Sequence, residues 1–122
     1  MIGDLGDALT ALIGVFSLFL AARALLQPQP AAAGFGVTPI PGLRPYMAIK
    51  GSRDLAVGAL LLALVATADF RAVGVAVLAA TAIPLVDGTI VLRTGGPRAV
   101  AIGVHYATAA VMIAAGLLVL VG

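Results

Sequence analysis

The sequence predicts an all-α membrane protein built as a bundle of four transmembrane helices. Three observations carry that prediction. Of the 122 residues, 62% are hydrophobic and only 10% are charged, against roughly half and a quarter in a soluble domain. The mean hydropathy is +1.20. The apolar residues also fall into four separate runs, at about 7–26, 46–68, 70–92 and 98–121, each long enough at about 1.5 Å per residue to cross a core of about 30 Å. One compact unit covering residues 1–122 is expected, with the lipid bilayer as its principal partner.

The first run follows Asp4 and Asp7. A secretory leader carries basic charge at that place, so a retained helix is expected. Residues 27–45 hold Pro28, Pro30, Pro39, Pro41 and Pro45. Proline removes amide donors, so this stretch is read as a loop. It also carries Phe35, Val37, Ile40 and Leu43, as a segment lying on the membrane or folded over the bundle as a lid would. The second run contains Gly51 and Gly58, which thin that helix. A tight turn at Ala68-Asp69-Phe70-Arg71 leads into the third run, where Pro84 is expected to kink the helix just before Asp87. The turn Arg93-Thr94-Gly95-Gly96-Pro97-Arg98 ends in a proline suited to starting the fourth run. There Ala99, Gly103, Ala107, Ala110 and Ala114 suggest a small-residue face for close helix packing.

The two helical hairpins run parallel, each out, in and out again, although residue identities between them are too few to establish a repeat. Arg23, Arg44, Lys50, Arg53, Arg93 and Arg98 lie in or beside the first and third connections, and Arg71 lies opposite. The positive-inside rule then places both termini outside a plasma (inner) membrane. The basic residues are dispersed, without interleaved aromatics, so no nucleic-acid partner is expected. There is no cysteine and one histidine, which excludes thiol chemistry and leaves no metal site expected.

The chemistry-bearing residues are ionisable groups in apolar runs. Each costs about 2.5–3.5 kcal/mol at a helix centre unless paired, hydrated or neutralised. Arg53, Asp54, Asp87 and His105 fall in the same half of the predicted bundle and form the candidate catalytic set. Arg53 suits a bidentate pairing with Asp87, and Asp54, one residue on, points about 100° away toward another neighbour. Arg23, Thr81, Thr108 and Tyr46 are the candidate substrate-binding residues. Against these readings stand bland ones: a structural ion pair, a hydrogen-bonded core histidine, and an Arg23 that snorkels to the interface.

The run Lys50-Gly51-Ser52-Arg53-Asp54-Leu55-Ala56-Val57-Gly58 resembles the Gly-x-Arg-Asp-x-x-x-Gly signature of domain-of-unknown-function family 4267. Asp87-Gly88 and His105 resemble that family's other polar positions. The resemblance implies a small membrane protein of about four helices and supplies no reaction.

Three functions compete. An acid–base enzyme on a lipophilic small molecule would isomerise, cyclise or open an epoxide with no cofactor, and would need an apolar cavity reaching the polar cluster. A small transporter or proton-coupled subunit would act as a homo-oligomer and need a wet path across the bundle. A structural or accessory protein would need only a dry, closed cluster.

Overall fold

The computed structural model describes residues 1–67 and 69–122, and every regular element among them is helical. Ala68, placed by the sequence at the end of the second run and in the turn after it, lies outside the described residues. The elements are α1 (Ile2–Leu26), α2 (Pro28–Phe35), α3 (Arg44–Thr67), α4 (Phe70–Ala80), α5 (Ala82–Arg93) and α6 (Arg98–Val121). Helices α4 and α5 follow one another as a single broken rod.

Among the described residues, three helices are long and apolar enough to cross a membrane: α1, the α4–α5 rod and α6. The sequence predicted four. Helix α3 has the length, but Lys50, Arg53 and Asp54 crowd its first half and dilute its hydropathy. Around the bundle, α1 lies between α3 and α6, and the α4–α5 rod lies against α6 and touches α3. The outer surface is apolar too: Leu12, Phe19, Leu60, Val75, Ile102 and Leu117 are each at least half exposed. That is a poor surface for water and a good one for lipid.

At the end where the termini meet, the helices pack closely. Ile13, Leu61, Val77, Met112 and Ala115 form the core there. The approach of α1 to α3 depends on glycine. A Cβ on Gly58 would stand 2.7 Å from the Gly14 carbonyl oxygen, so the backbones meet with no side chain between them. The small-residue face expected on α6 is turned the other way. Ala99, Gly103, Ala107, Ala110 and Ala114 are exposed, and Ala101, His105, Ala109, Met112 and Val119 face inward. In a helix apolar all round, small-residue spacing does not fix which face is inside.

At the other end the structure departs from the expected loop. Pro28–Phe35 is a helix of two turns, because Pro28 sits at its first position, where a missing amide hydrogen costs nothing. Gly36 ends it at φ +103°, donating to the Ala32 and Ala33 carbonyls. Ala32 packs with Ala24, Leu43 and Met47, which ties α2 across the ends of α1 and α3. Pro45 likewise falls within the first turn of α3, which begins at Arg44. Arg53 and Asp54 therefore stand in the third turn of that helix. Asp69 caps α4, accepting from the amides of Arg71 at 2.9 Å and Ala72 at 3.1 Å.

Candidate functional site

Beneath α2 the bundle encloses a cavity of about 150 Å³. Its inner end is apolar, with Ile13, Val57, Ala80 and Met112 on the wall. Its end under α2 is polar, and Arg23, Lys50, Asp54, Asp87 and His105 come together there. The wall between α1 and α6 is made partly of Phe16 and Val104. Both line the cavity and are about two-fifths exposed on the outside (42% and 40%).

Two breaks in helical geometry shape the polar end. The rod breaks at Thr81, and Pro84 follows within a turn. Proline supplies no amide hydrogen to the Ala80 carbonyl, and Ala80, Ile83, Pro84 and Asp87 all reach the cavity wall. In α6, residues Ala101–Tyr106 form a π-helical segment that carries His105. Such segments are rare and are enriched at functional sites.

The carboxylates are held by cations. Arg53 donates from Nη1 to Asp87 Oδ1 at 3.2 Å and from Nη2 to Asp87 Oδ2 at 3.0 Å, joining α3 to α5. Asp87 is buried, but the Arg53 side chain is 37% exposed, so the pair is half-buried. Lys50 Nζ donates to Asp54 Oδ2 one turn away on α3, and Arg53 Nη2 also lies 3.5 Å from Asp54 Oδ1. The buried Nε of Arg53 has no acceptor among the described residues.

His105 is held by α2. Its Nε2 lies 2.7 Å from the Phe35 carbonyl oxygen, and the Phe35 ring packs on the imidazole at 4.5 Å between centroids. A carbonyl only accepts, so Nε2 carries the hydrogen and the neutral ring keeps its lone pair on Nδ1. The Lys50 ammonium stands 5.5 Å from the centre of the same Phe35 ring. One residue of α2 thus touches two groups of the cluster.

Of the residues singled out from sequence, Arg23, Asp54, Asp87, His105 and Thr108 line the cavity. Arg53 reaches it only through its carboxylate partners. Thr108 spends its hydroxyl hydrogen on the Val104 carbonyl at 2.6 Å. Thr81 and Tyr46 do not line it. Thr81 is buried with its hydroxyl on the Val77 carbonyl at 3.0 Å, and Tyr46, in the first turn of α3, is 68% exposed. The sequence reading missed Phe35 and the partnership of Lys50, which had passed for a topology anchor. The Lys50/Asp54 spacing of one helical turn was a readable signal. The Phe35 contact is made by a backbone carbonyl and has no signature in residue type.

No curated protein and no solved structure matches the chain. A family match covers residues 14–119, which include the second half of α1, all of α2, α3 and the α4–α5 rod, and most of α6. The chain belongs to the family described as Domain of unknown function (DUF4267).

Proposed function

We propose that the protein is a four-span membrane enzyme performing acid–base chemistry on a lipophilic substrate that enters from the bilayer. On this reading α3 is the fourth span, its charges shielded inside the bundle. The α2 end lies in the cytoplasm, and both termini lie outside a plasma (inner) membrane. The observation that carries the proposal is the cavity, which runs from an apolar inner end to a cluster of Asp54, Asp87 and His105 under α2.

In this mechanism the lone pair on His105 Nδ1 takes a proton from the substrate, and Phe35 fixes the tautomer that leaves it free. Arg53 is a positioning residue that holds Asp87 by a two-point grip. Isomerisation, cyclisation and epoxide opening all suit such a site. They shift protons and bonds within the substrate or add water, and leave oxidation state to the substrate itself. A transporter needs a polar path through both halves, and the apolar core of Ile13, Leu61, Val77, Met112 and Ala115 in the other half favours the enzyme reading over it. A purely structural lock has no use for a cavity beside its ion pairs.

The test is to reconstitute the protein in vesicles of total bacterial lipid extract and follow the lipids by mass spectrometry. A species should change in retention with its mass constant or raised by one water. His105→Ala should slow that change by about a hundredfold or more, the usual contribution of a general acid–base group. Identical lipid profiles for the protein, His105→Ala and empty vesicles would overturn the proposal.

A further inference from the structure

The charges at the cavity do not balance. Three cations, Arg23, Lys50 and Arg53, face two carboxylates, Asp54 and Asp87. Lys50 is matched to Asp54 and Arg53 to Asp87. Arg23 lines the cavity, is half-buried, and has no carboxylate or other hydrogen-bond acceptor among the described residues. A guanidinium keeps its charge in every surrounding a protein offers. An unmatched one on a cavity wall is a seat for an anion.

The rest of the wall says what the anion is attached to. Ile13, Phe16, Ser17, Leu20 and Arg23 all reach the cavity from α1, so they form one stripe along that helix. From Ile13 to Leu20 the stripe runs about 10 Å and is apolar save for the small hydroxyl of Ser17, and the cation follows one turn later, nearer the helix end. An amphiphile in the leaflet on the α2 side has the same order, with its chain toward the midplane and its head toward the interface. The cavity holds about 150 Å³, below the roughly 300–1,000 Å³ of sites that enclose a whole drug-sized ligand. A site of that size takes the head and the first carbons, and Phe16 and Val104, which line the cavity and are also exposed on the outside, give the chain its way out toward lipid.

We infer that the ligand of this cavity is a single-chain amphiphile with an anionic head, a carboxylate or a phosphate, seated on Arg23. The inference rests on the lipophilic-substrate reading and narrows it.

Binding can be read without turnover, by thermal shift in an uncharged detergent as a function of added mole fraction. The probes are dodecanoate, dodecyl phosphate, dodecanol and dodecyltrimethylammonium. At least one of the two anions should half-saturate at roughly a tenth or less of the mole fraction that dodecanol needs, the size of one charge-assisted hydrogen bond. The tighter of the two identifies the head as fatty-acid-like or phospholipid-like. Arg23→Gln should erase the anion's advantage, Arg23→Lys should keep most of it, and Arg44→Gln, which alters a cation off the cavity wall, should leave it intact. If dodecanol binds as tightly as both anions, or the advantage survives in Arg23→Gln, the inference is wrong and the lipophilic-substrate reading stands. If none of the four probes binds, that reading falls with it.

Discussion

The two halves of the bundle are built from the same rods to opposite ends. At the termini the rods meet backbone to backbone. Gly58 lies against the Gly14 carbonyl, Gly6 against the Val119 amide, and Gly74 against the Gly116 carbonyl. In lipid there is no hydrophobic force between helices, so this half holds together by close packing alone. Under α2 a cavity opens between the rods, although α1 and α3 stay close where Gly51 lies against Leu25 and the Ala21 carbonyl. Polar groups cross the space instead, with Arg53 bridging to Asp87 and His105 to Phe35. The difference teaches that the closed half supplies stability and lets the open half keep a cavity and an imperfectly matched set of charges. Functional sites are commonly maintained in this way, at some cost in stability carried by the remainder of the fold.

The largest effect should come from filling the closed half. Gly58→Leu places a branched side chain where even a Cβ meets backbone. A loss of about 3 kcal/mol or more is expected, at the top of the usual range for overpacking, seen as failure to melt cooperatively in detergent. Near-normal melting would mean that the halves do not differ in tightness as described.

Next comes the bridge across the open half. Asp87→Asn leaves Arg53 without its charged partner, and the expected loss is near the lower end of the roughly 3–5 kcal/mol for a broken buried pair, since Arg53 is partly exposed. The double variant Arg53→Gln/Asp87→Asn should recover part of that loss, and a double-mutant cycle measures how much. If the single variant melts like the unaltered protein, the bridge contributes nothing to holding the open half.

A smaller effect belongs to the latch. His105→Ala removes the hydrogen bond to Phe35, worth about 1 kcal/mol. The global melting point should hardly move. Backbone amides of α2 should exchange with deuterium roughly fivefold faster, while those of α1 near Gly14 stay unchanged. Equal acceleration throughout would show that His105 supports the whole bundle and not α2 in particular.

The sequence discloses the two halves unequally. Charged and imidazole groups in apolar runs are conspicuous, because lipid makes each one costly. Asp54, Asp87, His105 and Arg23 could therefore be singled out, and they are found on one cavity. Segments long enough to span were equally plain, save that the charges of α3 set it apart from the other three. What the sequence concealed has physical reasons. Five prolines in 27–45 read as helix breakers, yet Pro28, Pro30 and Pro45 fall in first turns of helices, where a missing amide hydrogen is tolerated. The Phe35 carbonyl is backbone, which every residue has. The π-helical segment around His105 shifts the helix phase by an amount that spacing alone does not reveal.

That phase gives the smallest prediction and the sharpest test of which face of α6 is inside. A Cβ on Gly103 meets nothing within 4 Å, whereas one on Gly116 would stand 2.6 Å from the Leu78 side chain. Gly103→Leu should change stability by no more than about 0.5 kcal/mol, as surface substitutions do. Gly116→Leu should destabilise by about 1–3 kcal/mol through overpacking against α4. The contrast isolates phase, because both substitutions add the same side chain to the same apolar helix. If Gly103→Leu proves the more damaging in dilute detergent, α6 is rotated from the orientation described, and His105 would turn away from the cavity with it. If its damage appears only as the protein is concentrated, the face of Ala99, Gly103 and Ala107 meets a second copy. The inward phase of His105 would then stand.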